Sequence, residues 1–242
     1  MRRISLLVVL TVIVAACSHS AAEPARIDED FAGPDQLIAA EHQPAPQGSP
    51  WLITSGSLFR SAGNGWTGRP DAGDGPGLTG SAVFRMVSVD RVFRDVDMTV
   101  DLRVDELVHT DRTPPRDFDG VHIWVRYRSD TELYAVSVDR RDGTMVIKKK
   151  CTGGPSNGGT YHDLTPYLRD AAIPFGRWQH VTVSVRDGPD GSVSLSADRD
   201  GLRLEATDTG VGCPPLTGDG GVGIRGDNAD FRLARVVVDA SR

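Results

Sequence analysis

His122, Trp124, Arg126 and Arg128 fall two apart in a run whose other positions, Val121, Ile123, Val125 and Tyr127, are apolar. In an extended strand this spacing sends the polar-tipped side chains to one face and the apolar ones to the other. A tryptophan on the polar face offers a flat apolar platform for a sugar ring. Arginines beside it can hold hydroxyls or a carboxylate through paired N–H donors. A second group lies in 148–162, where Lys148 and Lys150 share one strand face and Lys149 takes the other. Glycines on both sides of Asn157 permit close backbone approach to a ligand, ahead of Tyr161 and His162. The segment reads as a long rim loop able to clamp a ligand. The candidate binding residues are therefore His122, Trp124, Arg126, Arg128, Lys148, Lys150, Asn157 and Tyr161.

Four of these positions also suit a different chemistry. Tyr161, His122 and His162 could move protons while Arg126 neutralises a uronate carboxylate, the residue types of a polysaccharide lyase, although their spacing reproduces no lyase motif. Asp95, Asp97, Asp101 and Asp105 alternate with apolar residues and read as a solvated strand face. Segment 148–162 is not a phosphate loop, because no GxxxxGK[ST] occurs in it.

These residues have to be positioned by strands. Period-two alternation recurs near 51–60, 81–89, 97–104, 121–128, 131–139, 144–151, 178–186, 191–199, 202–208 and 231–238. Arg141-Asp142-Gly143, the 187–191 segment and Arg199-Asp200-Gly201 supply the residues that tight hairpins require. The pattern predicts an all-β antiparallel meander folded as a two-sheet sandwich or jelly roll. One short helix is expected near 165–172, with Pro166 in its first turn and Leu164, Tyr167, Leu168 and Ala171 at helical spacing.

Trp51-Leu-Ile-Thr-Ser-Gly-Ser-Leu58, Phe175-Gly-Arg-Trp-Gln-His-Val-Thr-Val183 and Gly221-Val-Gly-Ile-Arg225 resemble segments of the concanavalin A-like lectin and glucanase superfamily, closest to its laminin-G-like members. The resemblance spans about 28–240 and implies one jelly-roll domain, here taken as 30–242. It makes Trp178 and His180 packing residues. It also implies a carbohydrate partner, a polysaccharide or cell-wall glycan bound without cleavage, with a polysaccharide-cleaving enzyme and a protein-binding envelope module as alternatives. Glucanases of the superfamily use paired glutamates in an ExDxxE motif. This chain has six glutamates, at 23, 29, 41, 106, 132 and 205, and no two lie within five residues. The resemblance further suggests a structural calcium where the chain ends meet, at Asp28, Asp30, Asp227 and Asp230. No other cofactor is implied.

Met1-Arg2-Arg3, an apolar stretch over 4–14 and Val14-Ala15-Ala16-Cys17 resemble a bacterial lipoprotein signal. The expectation is removal of residues 1–16, diacylation of Cys17, a tether over 17–29, and a protein held by lipid on the outer face of the cell membrane. A stretch this short would not span about 30 Å of hydrocarbon as a helix. In that oxidising compartment the remaining Cys151 and Cys213 form a disulfide. A formal charge of −6 argues against nucleic acid as a partner.

Overall fold

The computed structural model describes residues 25–41, 43, 46–71 and 79–241, so the export signal and Cys17 lie outside the described residues. Among these there are strands and no helix. In chain order they are β1 (Arg26–Glu29), β2 (Gln36–Ala40), β3 (Trp51–Ser55), β4 (Ser57–Ser61), β5 (Asn64–Trp66), β6 (Val83–Ser88), β7 (Asp95–Leu107) and β8 (Gly120–Ser129). There follow β9 (Glu132–Arg140), β10 (Val146–Ser156), β11 (Gly159–Asp163), β12 (Gln179–Asp187), β13 (Val193–Arg199), β14 (Leu202–Asp208), β15 (Gly221–Asp227) and β16 (Ala229–Ser241).

They form two antiparallel sheets. The nine-stranded sheet runs β14-β13-β12-β7-β16-β5-β4-β2, with β1 also paired to β16, and the seven-stranded sheet runs β11-β10-β9-β8-β15-β6-β3. The expected sandwich is present, but its order is not a simple meander: β7 pairs with β16, and β8 with β15. Alternation explains the layering. Val96, Met98, Val100, Leu102 and Val104 of β7 meet Val121, Ile123 and Val125 of β8 in one buried core. Full burial of each such side chain contributes roughly 1.5–3 kcal/mol.

The alternation of β8 breaks at Arg126. Trp124 and Tyr127 face Gly223 and Gly221 of β15, so β8 carries one residue more than its partner between these pairs. Arg126 absorbs the surplus at φ 51°, a β-bulge that resets which face each later side chain takes. Arg126 turns inward and is fully buried, with Nη2 2.8 Å from Asp187 Oδ1 and 3.3 Å from Asp95 Oδ1 in the other sheet. Tyr127 turns outward and stacks on Trp124, ring centres 5.6 Å apart at 7°. A Cβ on Gly220 would lie 2.7 Å from Arg126 Cα, so the bulge requires glycine there.

Three further expectations change. The segment 165–172 is extended: Leu168 exchanges backbone hydrogen bonds with Met145, and Leu164 and Ala171 donate to the carbonyls of Ile147 and Gly143. Those amides serve β10 and its preceding turn, which leaves a helix nothing to bond. Arg26–Glu29, expected in the tether, pairs with β16. The rim loop 148–162 is a hairpin of β10 and β11, irregular between Thr152 and Ser156.

On the inward side of β10, Lys149 Nζ donates to Asp208 Oδ2 (2.7 Å) and to the carbonyl of Cys213 (2.5 Å). The Tyr134 hydroxyl donates to Asp208 (2.6 Å) and accepts from Leu216 N (2.9 Å). Cys151 is disulfide-bonded to Cys213, as expected. Segment 208–216 is thereby fastened to β9 and β10.

Candidate functional site

A pocket of about 280 Å³ opens on the outer face of the seven-stranded sheet, and strand register explains its lining. Arg225, His122 and Ser137 form one row across β15, β8 and β9. Gly223, Trp124, Ala135 and Lys148 form the next and extend it to β10. Lys150 then faces Tyr161 on β11. Ser156 and Asn157 at the hairpin tip, Phe118, Arg140 and Asp227 complete the lining. Its size lies near the lower end of the roughly 300–1,000 Å³ typical of small-ligand sites, which suits a short ligand segment.

Trp124 is 1% exposed. Tyr127 stacks on its ring, and the Arg225 guanidinium lies 5.9 Å from the ring centre. It is thus an apolar floor and not the open platform that alternation suggests. The wall beside it is a chain of hydrogen bonds. His122 Nδ1 lies 2.9 Å from Ser137 Oγ, and His122 Nε2 lies 3.2 Å from Asp227 Oδ2. Arg225 donates to both carboxylate oxygens of Asp227, at 2.7 and 2.6 Å. Burial opposes the charge of Asp227, but the Arg225 guanidinium and the His122 hydrogen bond outweigh it and hold the carboxyl well below the usual range. Burial pushes the Tyr161 hydroxyl up, so it stays protonated as a donor. Burial, and then the nearby Arg225, push the Lys150 ammonium down.

His122, Trp124, Lys148, Lys150, Asn157 and Tyr161 are brought together here. Arg126 is not, because the bulge turns it into the interior, and Arg128 donates instead to the Thr217 carbonyl. The lyase constellation does not assemble. His122 and Tyr161 share the pocket, whereas Arg126 is internal and His162 packs against Gly212, where a Cβ would come within 2.3 Å of His162 Nε2. Ser137, Arg140 and Arg225 escaped sequence reasoning, and Asp227 was assigned to calcium. For Arg225 and Asp227 the signal is the period-two spacing 223, 225, 227, legible only once β15 is placed beside β8, whereas Ser137 enters through its pairing with His122 on β8. Trp178 and His180, expected to pack, are exposed; Trp178 lies under the Arg103 guanidinium and His180 bonds Asp101.

The residues proposed for calcium do not fit it. Arg235 and Arg26 hold the Asp28 carboxyl at about 2. Asp30 accepts from Ala32 N, Asp227 serves Arg225 and His122, and Asp230 accepts from the Trp66 indole at 2.6 Å. Among the described residues no three His, Cys, Asp or Glu side chains are grouped to hold a metal ion.

No protein-family model matches the sequence, and no curated protein matches it. Solved structures match in fold. An inactivated mutant of β-agarase B in complex with agaro-octaose aligns with a TM-score of 0.56 at 11% identity, covering 89% of this chain and 92% of that one. A structure from work on endo-acting O-glycanases of the human gut microbiota that initiate mucin breakdown aligns at 0.55 and 8% identity, covering 89% and 99%. The carbohydrate recognition domain of Emp46p, as a point mutant, aligns at 0.51 and 7% identity, covering 85% and 96%. The fold is the concanavalin A-like sandwich.

Proposed function

We propose that this protein is a carbohydrate-binding module that takes a glycan segment into the pocket on its seven-stranded sheet and does not cleave it. The observation that carries this reading is the convergence of His122, Trp124, Lys148, Lys150, Asn157 and Tyr161, drawn from three strands and a hairpin tip, on one pocket. Its mixture of aromatic surface with hydroxyl, amide and cationic donors suits sugar rings. The agarase and the Emp46p domain, which share the fold, are described respectively with an oligosaccharide bound and as a carbohydrate recognition domain. The reading of binding without cleavage is supported by the lining, where Asp227 is the single carboxylate and is held by Arg225, whereas glycoside hydrolysis ordinarily needs two free carboxyl groups. Lipid anchoring at Cys17 on the outer membrane face completes the proposal, and the Cys151–Cys213 disulfide suits an oxidising compartment.

The test is electrophoresis of residues 25–242 through native gels containing neutral and acidic polysaccharides, stained afterwards for polysaccharide loss. Retardation without clearing is expected, weakened in Tyr161→Ala and Asn157→Ala. Clearing around the band would replace the module with an enzyme. Unhindered migration in every gel would refute carbohydrate binding.

A further inference from the structure

Lys150 is the odd member of the pocket lining. The other cations there each have a carboxylate: Asp227 for Arg225, Asp142 for Arg140 at 2.6 Å, and Asp163 for Lys148 at 3.2 Å. Lys150 Nζ instead donates to the backbone carbonyl of Asp130 (2.6 Å) and sits 5.1 Å from the centre of the Tyr161 ring. The Asp130 carboxylate itself is engaged by Arg85 (2.5 Å) and by the Tyr127 hydroxyl (2.8 Å). Lys150 is only 2% exposed. An ammonium so far removed from water is costly unless an anion meets it, and one carbonyl with one ring face compensates only in part. Arg225 and Arg85 add like charge around it, which the Asp130 carboxylate offsets only in part.

Sequence usage points the same way. The chain has three lysines, all on β10, and the remaining basic residues are arginines. Two of the three lysines line this pocket. A protein of formal charge −6 would repel an acidic polymer without such a local reversal of sign.

We propose that the pocket is specific for an anionic sugar, one bearing a carboxylate or a sulfate ester, and that the Lys150 ammonium supplies the counter-charge. This rests on the glycan-binding reading of the same pocket. Both substituents are compact oxyanions, and each accepts a charge-assisted hydrogen bond from an ammonium.

Matched polymers separate the two sources: polygalacturonate against its methyl ester, and dextran sulfate against dextran. The acidic member of at least one pair should retard the domain at about one tenth of the concentration its neutral partner needs, the effect of one charge-assisted hydrogen bond. Lys150→Met should abolish that difference while leaving residual neutral binding, and Lys150→Arg should keep most of it. Should Lys150→Met fail to melt cooperatively, the salt dependence of the unaltered protein decides, because the preference should weaken as salt rises, though less steeply than for exposed charges. Equal retardation within both pairs, a preference that survives Lys150→Met, or a preference insensitive to salt would overturn the proposal. Retardation by none of the four polymers would instead fail the glycan reading on which it rests.

Discussion

Asp227→Ala should be among the most destabilising single substitutions in the pocket wall. The carboxylate is buried and receives two hydrogen bonds from Arg225 and one contact from His122. Its removal strands a guanidinium whose side chain is 16% exposed. Breaking a buried ion pair from one side costs about 3–5 kcal/mol, and the residual exposure of Arg225 favours the lower end. For a domain of this size about 3 kcal/mol lowers Tm by roughly 6–12 °C. The pH dependence follows from the depressed carboxyl. A group held below its ordinary value of 3.8 contributes stability that is fully present above that value and is lost as pH falls through its folded pKa. The gap between the unaltered protein and Asp227→Ala should therefore be full near neutrality and narrow below 3.8. Urea unfolding at neutral and acid pH measures it, and Arg225→Met combined with Asp227→Ala should cost less than the sum of the two singles. A gap under about 1 kcal/mol at neutral pH, or one that does not change on acidification, would refute this account of the pair.

Two more outcomes follow from the fold. Replacing Cys151 and Cys213 together by serine opens a loop with 62 residues of separation, so urea unfolding should show a loss of roughly 4 kcal/mol; an unchanged midpoint would contradict it. Gly220→Ala places a Cβ 2.7 Å from the Arg126 backbone, which cannot swing aside as a side chain would, and a Tm within a degree or so of the unaltered protein would show that the bulge tolerates it.

Much of the architecture is written locally. The alternation of β7, β12, β13 and β16 predicts strands where they occur, and Asp200-Gly201 closes the β13–β14 hairpin with both residues at positive φ. The site is legible only as far as alternation is unbroken. On β8 the reading holds through Trp124 and fails at Arg126, because nothing in an arginine announces a left-handed backbone. Arg225 and Asp227 were missed for another reason: β15 lies beside β8 through a long-range pairing that no local pattern encodes. The helix expected at 165–172 failed because Leu168 is spaced for a helix but bonded to Met145.

The order of residues along β10 works as a phase mark. Lys148 and Lys150 look outward into the pocket, whereas Lys149 and Cys151 look inward and grip Asp208 and Cys213. A slip of one residue would place two ammonium groups in the core and leave one in the pocket, and would draw the cysteine away from its partner. The covalent bond at Cys151 therefore dictates which lysines line the pocket, though it lies on the opposite side of the sheet. Inserting or deleting a single residue between the start of β10 and Cys151 should scramble ligand recognition as thoroughly as mutating the pocket itself.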